Sequence, residues 1–312
     1  MKKSSHNRFL LLSLSVLVAV AALAYTLGVW QVGRLNNNLQ PQAVESNMLV
    51  RFALDPECTV RSNTGSKVFF DMGSRHSFIS SAELDRLTKI GYPFRLERCL
   101  MVTTDPSGRY KLYTRKVVLD IGLPNPELPD GYFHLRNADL LVSDRADDNI
   151  FGMDILRRFV LERTWDNNEM RLYKNVPEGY VPVCDINVYD AELGNLLSPS
   201  LRASIMLTVN NDEPREYFFD TGGEMRNYEL VQPRANADYA LSSLKTDSIT
   251  GYLIQPRCYV TFGDRLRYSS VVYCDTLHTD KYSVNPLRLF DQDMVLDMPG
   301  RKMLVHKTSN GQ

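Results

Sequence analysis

Hydrophobic and polar positions fall into two unlike regimes along this chain. From Phe9 to Trp30 no charged residue interrupts an apolar run; Lys2, Lys3 and Arg8 precede it and Arg34 follows. Twenty-two helical residues rise about 33 Å, the thickness of a bilayer's hydrocarbon core. Basic residues gathered ahead of the run predict a cytoplasmic stub over 1–8, a single membrane helix over 9–30 and an exported body on the periplasmic or extracellular side. Ala22-Leu23-Ala24 also offers a small-x-small cleavage site, so a cleaved signal peptide and a secreted body form the competing reading. Apolarity that continues through Tyr25, Leu27, Val29 and Trp30 favours the retained anchor. The mostly polar residues 31–47, with Asn36-Asn37-Asn38 and Gln40-Pro41-Gln42, read as a juxtamembrane spacer.

From Met48 onward the long run gives way to short runs of β-branched and aromatic residues between turn signals. Leu49–Leu54, Val68–Asp71, Leu100–Thr104 and Tyr110–Ile121 read as strands, with turns at Asn63-Thr64-Gly65 and Asp105-Pro106-Ser107-Gly108. A helix is predicted over Ser81–Lys89, opened by the capping box Ser80-x-x-Glu83 and closed by Gly91. A second short helix, Asp154–Arg158, follows Phe151-Gly152, and strands Val160–Trp165 and Met170–Tyr173 end this unit. The order then recurs: strand Ala203–Val209, turn Asn210-Asn211-Asp212, strand Tyr217–Asp220, two long strands Tyr252–Phe262 and Leu266–Cys274, and a last pair around Pro299-Gly300. The predicted organisation is a first unit over 48–175, a connector over 176–199, a second unit over 200–307 and a tail over 308–312. The predicted fold class is all-β with short helices, two pseudo-symmetric lobes behind a membrane helix.

Composition narrows the chemistry. A net charge of −1 gives no electrostatic reason to expect nucleic acid. Five scattered histidines carry no His-x-x-x-His or His-Glu-x-x-His spacing, and no glycine-rich phosphate loop or Gly-x-Ser-x-Gly elbow occurs, so neither metal nor cofactor is expected. Asp144, Asp147 and Asp148 read as a solvated loop. Of the five cysteines, Cys258 and Cys274 flank a predicted hairpin turn at Gly263-Asp264 and leave one bridge open; the others read as buried thiols.

The remaining signal is a phrase stated twice. Phe69-Phe70-Asp71-Met72-Gly73-Ser74 is echoed 149 positions later by Phe218-Phe219-Asp220-Thr221-Gly222-Gly223. One Asp-x-Gly is ordinary turn chemistry. Two, each at the end of an apolar strand, can present two carboxylates to one another, and such a pair cannot be doubly ionised. One carboxylate then serves as base toward a water while the other, protonated, polarises a carbonyl.

The first unit's series resembles the retroviral-type (retropepsin-like) aspartic proteases: hydrophobic-Asp-x-Gly-Ser, then Ser77-Phe78-Ile79-Ser80 and a short helix, then Ile150-Phe151-Gly152 with a further helix. The second unit resembles them at Phe218–Gly222 and in its closing strands. The resemblance implies a fused, single-chain version acting as a monomer with an internal pseudo-two-fold. It implies that Asp71 and Asp220 are the catalytic pair, that Gly73 and Gly222 let each loop turn, and that Ser74 bonds a carboxylate from outside. It implies that Thr221 reaches across to the opposite loop, that Gly152 forms a structural turn, and that the substrate is an extended polypeptide. A β-hairpin flap is implied too, with Ser107-Gly108 and Thr250-Gly251 as candidate tips. The chain departs from the pattern at Met72, where the family has a hydroxyl, at Gly223, and at Leu289-Phe290-Asp291, aligned here with the second unit's missing glycine turn. The expected function is a membrane-anchored aspartic endopeptidase; the alternative is an inactive relative that binds a peptide or protein in the groove between lobes.

Overall fold

The computed structural model of the chain describes residues 3–32, 35–54, 58–104, 109–145, 149–189, 201–210, 212–222, 225, 228–233, 245–246, 248, 252–262, 265–274, 282–289 and 292–307. Helix α1 (Lys3–Val32) is followed by β1 (Gln40–Pro41), β2 (Met48–Ala53), β3 (Thr59–Arg61), β4 (Lys67–Phe70) and β5 (Phe78–Ser80). Next come α2 (Ser81–Lys89), β6 (Phe94–Thr104), β7 (Tyr110–Pro124), β8 (Tyr132–Ser143) and β9 (Ile150–Phe151). The first half ends with α3 (Met153–Leu156), β10 (Val160–Thr164) and β11 (Glu169–Tyr173). The second half has β12 (Tyr180–Asp185), β13 (Asn187–Tyr189), β14 (Arg202–Val209), β15 (Arg215–Phe219), β16 (Leu230–Pro233) and β17 (Lys245–Thr246). It closes with β18 (Leu253–Phe262), β19 (Arg265–Cys274), β20 (Ser283–Val284), α4 (Pro286–Leu289), β21 (Met294–Asp297) and β22 (Lys302–His306).

The duplication is visible in the strand pairings. In the first half β3, β4, β9, β5, β8 and β7 lie side by side, paired antiparallel, parallel, antiparallel, parallel and antiparallel. In the second half β14, β15, β20, β16, β19 and β18 repeat that series in the same senses. A third sheet, β12-β22-β21-β10-β11-β2, takes three strands from each half and is sewn at its centre by β10 against β21. Side-chain burial explains these strands: β4 buries Val68, Phe69 and Phe70 in succession, as a strand covered on both faces does, while β14 turns Ala203, Ile205, Leu207 and Val209 inward at every second position. The Ser81–Lys89 helix has the predicted bounds, with Ser80 Oγ accepting from the Glu83 amide at 3.1 Å. The reciprocal half of the capping box is absent. The Glu83 carboxylate turns to Arg86 and Ser66, and the Ser80 amide donates to Asn149 Oδ1 at 3.0 Å instead.

Three expectations change. Residues 31–47 are not a bare spacer: Leu35 and Leu39 are buried, Asn36 is fully enclosed and β1 pairs with β8. Residues 176–199 are not a plain connector, because β12 pairs with β22 and β13 with β14. Strand register also separates the two cysteines of the open bridge. Cys258 stands opposite Ser269, five residues from Cys274; at ~3.3 Å per residue that is ~17 Å, beyond the roughly 7 Å a disulfide spans. The predicted turns at 105–108 and Gly263-Asp264, with Asp147, Asp148, Gly223, Phe290, Asp291 and Thr250-Gly251, lie outside the described residues. Asp144 pairs with Lys111 at 3.4 Å.

Among the described residues no helix is long and apolar enough to cross a membrane. The contiguous described side chains of α1 run from Leu11 to Ala24, and all are exposed.

Candidate active site

Each half places its acidic loop by the same backbone device. In the first, the Phe69 amide donates to Asn149 O at 2.8 Å and the Asp71 amide to Phe151 O at 3.0 Å. In the second, the Phe218 amide donates to Tyr282 O and the Asp220 amide to Val284 O, both at 2.9 Å. Strands β4 and β15 therefore end in the same way against parallel partners, and each acid follows a buried phenylalanine, Phe70 or Phe219. The loops turn alike: the Gly73 amide donates to Asp71 Oδ1 at 2.8 Å, and the Gly222 amide to Asp220 Oδ1 at 2.9 Å.

The two loops meet face to face. A methyl group built on Gly73 would lie 2.5 Å from Oδ1 and 2.6 Å from Cγ of Asp220. One built on Gly222 would lie 2.5 Å from Oδ2 and 2.6 Å from Cγ of Asp71. Each carboxylate thus rests on the opposite loop's glycine, in the space a side chain would fill. Asp71 is buried and Asp220 is half-buried, so the arrangement is reciprocal in contact and unequal in solvation.

Thr221 crosses between the loops. Its hydroxyl accepts from the Met72 amide at 3.0 Å and donates to Phe70 O at 2.8 Å. Met72 has no hydroxyl to return these bonds; its side chain is 1 % exposed and joins the core. Ser74 donates to His76 O at 2.8 Å, so its one proton is engaged inside its own loop and not on the Asp71 carboxylate.

Gly152 follows β9, where an added methyl would lie 2.6 Å from the His76 carbonyl carbon and 2.8 Å from Ser74 O. Its counterpart is not at Leu289-Phe290-Asp291. Strand β20 pairs with β15 as β9 pairs with β4, which makes Ser283-Val284-Asn285 the equivalent of Ile150-Phe151-Gly152. Asn285 uses the space its partner loop leaves: Nδ2 donates to Met225 O at 2.8 Å and Oδ1 accepts from the Leu287 amide at 3.1 Å. No glycine marks that position in the sequence. Asn285-Pro286 ahead of a short apolar run is a helix-start signal that could have found it.

Behind the first loop lies a buried polar cluster that sequence reasoning missed. Asp154 accepts from Ser77 Oγ at 2.6 Å, the Ser77 amide at 3.1 Å and Asn36 Nδ2 at 2.8 Å, with His76 Nδ1 4.0 Å away. Burial pushes the Asp154 carboxyl up to about 6 against the pull of those donors. Burial, then the charges of Arg75 and Arg157, push the His76 imidazole down to about 3. Among the described residues no group of three or more His, Cys, Asp or Glu is placed to hold a metal ion.

Comparison with solved structures places this architecture. Basic 7S globulin from soybean superposes with a TM-score of 0.53 at 8% identity, over 84% of this chain and 95% of that one. The protein edgp superposes at 0.52 and 10% identity, over 84% and 95% of the two chains. The fold is aspartic-protease-like. An aspartic proteinase from Irpex lacteus aligns with a TM-score of 0.49 at 10% identity, over 81% of this chain and 95% of that one. At these identities the likeness is one of fold alone. No protein-family model matches the chain, and no curated protein matches it by sequence.

Proposed function

We propose that the chain is an aspartic endopeptidase of retropepsin-like, fused two-lobe form, with Asp71 and Asp220 as its catalytic pair. The observation that carries this reading is the reciprocal seating of each carboxylate on the opposite loop's glycine. Two carboxylates held over a common point share one proton, because simultaneous ionisation is too costly there. The ionised member takes a proton from a water between them, and the protonated member polarises the peptide carbonyl that this water attacks. The pair titrates as a unit. An extended polypeptide bound as an added strand between the lobes is the substrate class that fits. We further infer that α1 anchors the protein in a membrane with the body exported. Support comes from an unbroken apolar run behind a basic N-terminus and from Leu11, Leu12, Leu14 and Leu17, each more than half exposed.

The test is cleavage of a quenched-fluorescent peptide library by the purified full chain in detergent, from roughly pH 3 to pH 8, where such pairs titrate. Asp71→Asn and Asp220→Asn each abolish the signal on this reading, and a statine-type inhibitor blocks it. One observation favours a second reading, a peptide-binding protein without catalysis: Met72 leaves the cross-loop grip one-sided. Equal residual cleavage in wild type and Asp220→Asn, with peptide binding intact, leaves that reading alone standing.

A further inference from the structure

We propose that the outer face of the β6–β7 hairpin docks on the surface of the bilayer that holds α1; this rests on the reading of α1 as a membrane anchor. The first argument is the length of the tether. Asn36 is locked into the first lobe: its amide donates to Asp139 Oδ2 at 3.1 Å, its Nδ2 to Asp154 Oδ2 at 2.8 Å, and its Oδ1 accepts from the Asp139 amide at 2.8 Å. Leu35 beside it is buried. Between Val32, where α1 ends, and Leu35 there are three Cα steps, a reach of about 11 Å. A lobe gripped so close to the helix end cannot stand clear of the membrane. The backbones of α1 and β6 also approach within 8 Å, which sets this hairpin on the helix side of the lobe.

The second argument is the hairpin's chemistry. One face turns Met101, Thr103 and Tyr113 into the protein, 2 %, 3 % and 2 % exposed. The other presents Val102 directly opposite Leu112, with Leu100 two residues away. Those three are 62 %, 51 % and 61 % exposed. An antiparallel hairpin with one buried face normally shows water a polar one; a cluster of bare aliphatic side chains marks a contact surface. Toward the base of the hairpin, Lys116 bonds Glu97 at 3.2 Å and Asp139 at 2.9 Å. Lys116 is thus paired within the lobe, and the proposed contact is carried by apolar insertion of the aliphatic cluster into the headgroup boundary.

Tryptophan placed on this face tests the proposal. Val102→Trp and, separately, Leu112→Trp are made in the full chain and reconstituted into phosphatidylcholine vesicles, with and without acyl chains brominated near the headgroup. Both are exposed strand positions where tryptophan is well tolerated. The added emission is expected to shift to the blue, to be quenched by the brominated lipid and shielded from aqueous iodide, and to be unchanged by phosphatidylglycerol. Emission that iodide reaches freely and bromine leaves untouched overturns the docking. So does a blue shift that grows with protein concentration but ignores bromine, which signifies contact between two copies. An alkaline carbonate wash separates the premises: protein released by it refutes the anchor, whereas retained protein with unquenched tryptophan refutes the docking alone.

Discussion

Replacing Gly73 with alanine isolates the seating of the Asp220 carboxylate. The new methyl would stand 2.5 Å from Asp220 Oδ1, whereas ordinary contact begins at 3.4 Å, so one partner must yield by about 0.9 Å. Gly73 is exposed and lies outside the left-handed region, so alanine meets no backbone strain there. The change should leave folding stability level, or raise it by the ~0.4–1 kcal/mol typical of Gly→Ala at compatible sites. Movement of a reacting group by about 1 Å costs on the order of 100-fold in rate, or about 2.7 kcal/mol of transition-state stabilisation. The expected signature is therefore a melting temperature at or above that of wild type with kcat/KM reduced about 100-fold, measured on one quenched-fluorescent peptide. Unchanged kcat/KM in a folded Gly73→Ala protein refutes the reasoning, since the carboxylate would then not need the space over the opposite glycine.

Three further outcomes follow from the same loops. Thr221→Val removes a hydroxyl that both accepts from and donates to buried backbone; a loss of about 1–3 kcal/mol is expected in urea denaturation, with Thr221→Ser largely restoring it. Gly152→Ala drives a methyl against the backbone of His76 and Ser74, neither of which can rotate away, and should cost about 1–3 kcal/mol. His76 and Asp154 should give opposing pH slopes. With its folded pKa near 3 against 6.5, His76 weakens the fold as pH falls below about 6.5; with its folded pKa near 6 against 3.8, Asp154 weakens it as pH rises from about 4 to 6. In the wild type these two contributions should nearly cancel from about pH 4 to 6. His76→Asn should lose melting temperature as pH rises through that window, and Asp154→Asn as pH falls from about 6.5. Identical profiles in the two variants would sink the assignment.

Much of this arrangement is legible in the residues. Phe69-Phe70 and Phe218-Phe219 announce buried strand ends, and Ser80 with Gly91 bounds α2 to the residue. Other features depend on partners far along the chain. Asn36 reads as one of three consecutive asparagines until Asp139 and Asp154, more than a hundred positions away, enclose it. Gln40-Pro41 looks like spacer because two residues carry no periodicity; its strand character comes from β8 alone. Tyr180–Asp185 sits in a Pro- and Gly-bearing passage, and only β22 draws it into the shared sheet. Asn285 was hidden because it carries a side chain, bonded to Met225 O and the Leu287 amide, at the position where the pattern expects a glycine. Ser74 misled through proximity: the sequence places a hydroxyl near the acid, but only the loop's course decides which oxygen receives its proton.

The seam of the shared sheet has a consequence for how the chain can be divided. Residues 174–179 join β11 to β12, while Val160–Arg163 and Met294–Asp297 hold the halves together through their own backbone ladder. A break in 174–179 therefore leaves a front fragment whose β10 has lost its neighbour, and an antiparallel edge can be closed as well by a twin of itself as by the missing half. Expressed alone, the front fragment is expected to close that edge with a second copy of itself; supplied with the back fragment, it is expected to reassemble the shared sheet instead.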